Sequence, residues 1–255
     1  MVGMKINSVK TKVLAAAVPA VDVLPVTVDS VVLEEVPSFV YLGSTIMANG
    51  QSAEDVIIRV NKAHRAFGRL HRHLWSRKEI RRSTKIRIYQ ALIRSILLYG
   101  CETWAMRKSD IQKVDVFDRN CIRRILNVNP LDHVPNPALY RQSTLRPLSQ
   151  DLFKRRVRWF GHALRRQSDE NIHMVIDPEP PSHWKKRRGG QLRTWLSTVK
   201  KDMERLTGPT VYGIRRWNRK WLKYTEEEAK DRGKWAALIR DALIQYEGAG
   251  SACNG

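Results

Sequence analysis

A chain of 255 residues with 42% apolar content can bury one large core or two small ones, which excludes a short peptide and a long solenoid. Its 46 Lys and Arg against 25 Asp and Glu give a formal charge of +21 and a pI near 10.3, an excess that argues against a neutral metabolic enzyme and for a polyanionic partner, nucleic acid first. Three scattered cysteines, Cys101, Cys121 and Cys253, form no CxxC pair and so point to neither a disulfide framework nor a zinc ribbon.

The charge is unevenly placed. Residues 1–53 carry 3 Lys and Arg against 4 Asp and Glu, and the remainder carries 43 against 21, an excess of 22. Lys5, Lys10 and Lys12 ahead of a short apolar run imitate a secretory signal. That run is broken by Pro19 and lacks a cleavage context, so the expected location is the nucleus or cytoplasm and not the secretory route.

From Val13 to Ile46 the chain is valine-rich, with alternation at Val26 and Val28, a turn-like Asp29-Ser30, then Val31 to Leu33 and Phe39 to Leu42; a few short strands are predicted here. Ser52 with Asp55 three residues on reads as the carboxylate form of a capping box opening a helix to about Leu74. Val60, Ala63, Phe67, Leu70 and Leu74 form its packing face. Lys62, Arg65, Arg69 and Arg72 recur at the same spacing half a turn away, as a cationic rail.

A second helix is predicted from Ser83, burying Ile86, Tyr89, Ile93, Ile96 and Gly100, and a third after Ser109, burying Ile111, Val114, Phe117, Cys121 and Ile125. Prolines 130, 135, 137 and 147 rule out a long regular element between Asn127 and Pro147 and mark a connector. Beyond it, Phe153, Val157, Phe160 and Leu164 define a helix, Leu192 to Leu206 the next, and Glu226 to Tyr246 the last. The fold class predicted is mainly α with a small N-terminal β portion.

Several residue sets are candidates for binding. The stripe Lys62, Arg65, Arg69 and Arg72 can follow a phosphate backbone, each contact releasing counterions; a solvated face is the plainer reading. The run Lys154, Arg155, Arg156 and Arg158 stands beside Trp159, which suits either stacking on an unpaired base or the core. Lys185, Lys186, Arg187 and Arg188, followed by two glycines, suit nucleic acid, nuclear import or a plain linker. His71 and His73 have no carboxylate or cysteine at ligand spacing, so no metal site is expected, and no nucleophile-elbow pattern appears.

Ordered along the chain are further motifs. They run Gly3-Met4-Lys5-Ile6-Asn7 with Lys10-Thr11-Lys12, Phe39-Val40-Tyr41-Leu42-Gly43-Ser44, Thr84-Lys85 with Tyr89, and Leu97-Leu98-Tyr99-Gly100-Cys101-Glu102-Thr103-Trp104. They continue as Arg158-Trp159-Phe160-Gly161-His162, Gly189-Gly190-Gln191 with Thr194-Trp195, and Asp231-Arg232 with Trp235. In this order and over nearly the whole length, they resemble the C-terminal part of non-LTR (LINE-like, RTE-type) retrotransposon reverse transcriptases.

The resemblance implies the end of a palm domain over 1–50 with a primer-grip-like hairpin at Tyr41, Leu42 and Gly43, and a helical thumb over 51–129. It further implies a connector over 130–149 and a basic helical domain over 150–255. It implies RNA and DNA as partners, with no membrane and no small-molecule substrate. The family's catalytic YADD box is expected ahead of Met1, and no Asp-Asp pair occurs in the sequence; polymerisation by this chain alone is not expected, and Mg²⁺ is expected only for the complete family polymerase. Two other readings stay open: a decayed fragment without a role, and a co-opted basic protein that binds nucleic acid structurally.

Overall fold

The computed structural model describes residues 6–15, 25–167, 171–176, 194–207 and 220–252. The protein is 65% helical and 8% strand, so the mainly α class with a small N-terminal β portion holds.

Six short strands open the chain: β1 (Lys12–Val13), β2 (Thr27–Val28), β3 (Val31–Val32), β4 (Glu34–Glu35), β5 (Ser38–Tyr41) and β6 (Ser44–Met47). They form three separate two-stranded sheets, with β1 parallel to β4 and antiparallel hairpins β2–β3 and β5–β6. Both hairpins turn on two residues with positive φ, Asp29 (49°) with Ser30 (64°) and Leu42 (47°) with Gly43 (84°). This is the primed turn that matches strand twist. Val31, Val32, Phe39 and Val40 remain exposed, because a sheet of two strands offers no second layer to cover them.

The first helical assembly comprises α1 (Ala53–Arg69), a π-helical turn at His71–Trp75, α2 (Arg82–Ile88) running through a π-helical segment into α3 (Ser95–Leu97), α4 (Lys108–Leu126) and α5 (Asn136–Ser143). Its core gathers Ala63 and Phe67 from α1, Tyr89 and Ile93 from the second helical stretch, and Val114, Cys121 and Ile125 from α4, as the spacing predicts, and adds Leu97 and Ile122. Leu92, on the same helical stretch, is half exposed.

Two local expectations are corrected. Ser52 does stand at the start of α1, but neither it nor Asp55 caps the helix. Ser52 Oγ accepts a hydrogen bond from Ala105 N at 2.9 Å, and Asp55 accepts from Thr45 N at 2.9 Å and from Trp104 Nε1 at 2.8 Å. Tertiary donors have outcompeted the local ones. The proline-rich connector also holds more structure than expected: Pro137 sits in the first turn of α5, where its missing N–H costs nothing, and Leu139 is fully buried in the first core.

α6 (Leu148–Leu164) leads to α7 (Asn171–Ile176), α8 (Trp195–Thr207), α9 (Lys220–Lys230) and α10 (Arg232–Ala252). Leu148 and Leu152 of α6 close the first core, while Phe153, Val157 and Phe160 begin a second, completed by Val199, Met203, Trp221, Trp235 and Ile239. The helix predicted from Glu226 to Tyr246 is in fact two. The break falls at Asp231, whose carboxylate accepts from the backbone N–H of Gly233 (2.8 Å) and Lys234 (3.0 Å) and so starts α10.

A buried ionic network locks the first assembly to α6. Asp118, without solvent exposure, accepts from Arg94 Nε (3.0 Å) and Nη2 (2.7 Å), Tyr89 OH (2.7 Å) and Tyr140 OH (3.1 Å). Arg94 also donates to Asp151 at 3.1 Å and to the carbonyl of Arg146 at 2.8 Å. Burial works against the charge on Arg94, but Asp118, with Tyr89 and Asp151, more than offsets it and holds the guanidinium above its ordinary pKa.

Candidate nucleic-acid interface

The motif turn at Tyr41-Leu42-Gly43 protrudes, with Tyr41 and Leu42 exposed, but its backbone is clasped from below. Tyr99 OH donates to the Leu42 carbonyl at 2.8 Å, and Arg59 Nη2 donates to the Gly43 carbonyl at 2.6 Å. The Arg59 guanidinium lies 4.4 Å from the centre of the Tyr99 ring. Gly100, at φ +72°, has no room for a side chain, since a Cβ there would stand 2.7 Å from Ser44 Oγ. The clasp holds Leu42 in a left-handed conformation that costs a non-glycine residue roughly 1–2 kcal/mol.

Other motifs also meet in pairs. Trp195 Nε1 donates to the Glu102 carbonyl at 2.7 Å. Trp235 Nε1 donates to the Val157 carbonyl at 3.2 Å and lies so close to Gly161 that a Cβ there would come within 2.2 Å. Trp159 packs edge-on against Trp195, with centroids 5.1 Å apart, which puts it with the second core rather than on an open stacking surface.

The rail on the first helix survives intact. Lys62, Arg65 and Arg69 of α1 and Arg72 of the following π turn are all exposed, and none has an acidic partner among the described residues. Within α1 the i, i+3, i+7 spacing keeps Lys62, Arg65 and Arg69 on one face over about 10 Å, close to the axial rise of about three phosphates on one strand, and Arg72 follows in the π turn.

The run on α6 breaks up. Arg156 is buried and paired with Asp202, so its expected phosphate contact is corrected: the side chain points into the second core. Arg155 pairs with Glu102 at 3.5 Å and donates to the Leu98 carbonyl. Arg158 is exposed and Lys154, one helical turn before it, is half-buried. Lys185, Lys186, Arg187 and Arg188 lie outside the described residues.

Lys154 and Arg158 instead belong to a cleft of about 440 Å³ between α6 and α10 that the sequence reading missed. Arg146, Arg165, Arg232 and Arg240 complete its cationic walls, Trp235, Ala236, Ile239 and Leu243 form its floor, and no acidic residue lines it. Arg165 Nη1 donates to the Ala229 carbonyl at 2.8 Å, while its Nε is buried without a partner. Burial and the charge of Arg232 together push the Arg165 pKa below its ordinary value. A spacing signal did exist: Lys154, Arg158 and Arg165 recur at i, i+4 and i+11 on one helix face, and Arg232, Ala236 and Arg240 at i, i+4 and i+8 on the other.

Among the described residues no three His, Cys, Asp or Glu side chains gather as a metal site, and no helix is long and apolar enough to cross a membrane. Cys101 and Cys121 are buried, with burial pushing both thiols up to about 12, so neither is poised as a nucleophile. Set against models of known protein families, against curated proteins and against solved structures, the chain matches none.

Proposed function

We propose that the protein binds nucleic acid through its sugar-phosphate backbone, holding a template or primer in the manner that its motif resemblance to non-LTR reverse transcriptases implies. One observation carries this reading. Four cations, Lys62, Arg65 and Arg69 on one face of α1 and Arg72 in the turn that follows it, are exposed and without acidic partners among the described residues. A fold that neutralises Arg59, Arg94 and Arg156 with carboxylates or carbonyls leaves these four open. Such a row attracts a polyanion by releasing condensed counterions, without reading base sequence.

The test is binding of a blunt duplex or RNA–DNA hybrid, followed by fluorescence anisotropy across a salt series. The logarithm of the association constant is expected to fall linearly with the logarithm of salt concentration. Replacing all four residues by Gln is expected to flatten that slope by roughly 3–4, since each phosphate contact contributes about 0.9. A flat salt response of the unmodified protein overturns the proposal.

A further inference from the structure

The cleft between α6 and α10 has a shape and chemistry that differ from the open rail, and we propose that it is a site for an unpaired nucleotide of a single strand. This rests on the nucleic-acid reading above and deepens it by assigning strand type.

Volume is the first argument. About 440 Å³ lies within the range of ordinary small-ligand clefts, roughly 300–1,000 Å³, and suits a segment on the order of one nucleotide. A duplex keeps its bases stacked inside and its phosphates outside, so it can lie across a convex helix face but cannot enter a slot of this size.

The lining is the second. Lys154, Arg158 and Arg165 on one wall face Arg232 and Arg240 on the other, with no carboxylate between them. In that wall the Nε of Arg165 is buried without a hydrogen-bond partner beside the charge of Arg232, a combination that an anionic phosphate would relieve.

The third argument is the gap in the α10 row. Ala236 is exposed and stands one turn from Arg232 and one turn from Arg240, so a short apolar side chain separates two long cations above the floor of Trp235, Ile239 and Leu243. That leaves a flat apolar step where a base can lie while the flanking phosphates reach the arginines. Single-strand binders combine a cationic groove and a sequence-tolerant apolar platform in this way.

The experiment compares a labelled single-stranded oligonucleotide of mixed sequence with a blunt duplex of equal length, both titrated with the full chain. Three variants are used: Arg158→Gln with Arg240→Gln, Ala236→Trp, and the four-Gln rail variant. Ala236→Trp fills the step while keeping every cation, and all the residues changed are solvent-exposed; thermal melts verify that each variant folds.

Both cleft variants are expected to lose about tenfold in single-strand affinity with duplex affinity changed less than about twofold, and the rail variant to show the reverse preference. Equal losses on both ligands in the cleft variants, or no loss on either, overturn the strand-type assignment while leaving the backbone-binding reading standing. If the unmodified chain binds neither ligand, both proposals fall.

Discussion

α1 and α6 were each expected to present four cations, and they do so in opposite ways. On α1 the positions Lys62, Arg65 and Arg69 share one solvent face and Arg72 is exposed just after it, whereas on α6 the near-consecutive Lys154, Arg155, Arg156 and Arg158 radiate around the axis. Successive helical residues are turned about 100° from each other, so a run of adjacent basic residues cannot form a face, and one of them falls inward. Arg156 is that one. Density of charge in a sequence therefore overstates a binding surface, and angular spacing measures it.

The contrast is tested most severely at Arg156. Arg156→Ala leaves Asp202 buried without its arginine and is expected to cost about 3–5 kcal/mol, read as a fall in the denaturation midpoint; Arg69→Ala on the open rail is expected to leave that midpoint unmoved. Equal stability of the two variants would abolish the distinction between inward and outward cations.

A smaller effect sharpens it from the other side, because α1 has an inward cation of its own. Arg59→Ala removes the charged donor to the Gly43 carbonyl and the contact on Tyr99, with an expected loss of about 1.5–3 kcal/mol concentrated in the β5–β6 hairpin. Amide exchange should show Ser44 to Met47 opening faster, with the core of α4 unchanged. Uniform loosening of the whole chain would mean that Arg59 supports the core rather than the turn.

The least change is expected at Arg158, adjacent in sequence to buried Val157 yet exposed itself. Arg158→Ala should leave the melting temperature within about 2 °C of the unmodified protein. A larger drop would place this residue among the structural cations.

The helical periodicity of apolar residues was enough to locate α1, the second helical stretch, α4 and α6, because each buries a stripe regular enough to be read at 3.6-residue spacing. The same periodicity, applied to charge, was enough to find exposed positions of α1 at Lys62, Arg65 and Arg69. What the pattern did not contain was competition between partners. Ser52 and Asp55 form a capping signature, but Ala105, Thr45 and Trp104 supply their hydrogen bonds from distant positions. Asp118 looks like any carboxylate on α4 until the fold delivers Arg94, Tyr89 and Tyr140 to it. The α6/α10 cleft needed two helices some 80 positions apart to be seen together, and Arg165 and Arg232 were individually unremarkable.

One helix also governs how this protein can be dissected. Since α6 places Leu148 and Leu152 in one hydrophobic assembly and Phe153 to Leu164 in the other, and Asp151 holds Arg94, scission at the proline-rich stretch that precedes it would strip the N-terminal piece of its lid. Scission after it would abandon the tryptophans of α9 and α10 to water. Each cut therefore opens one of the two cores to solvent.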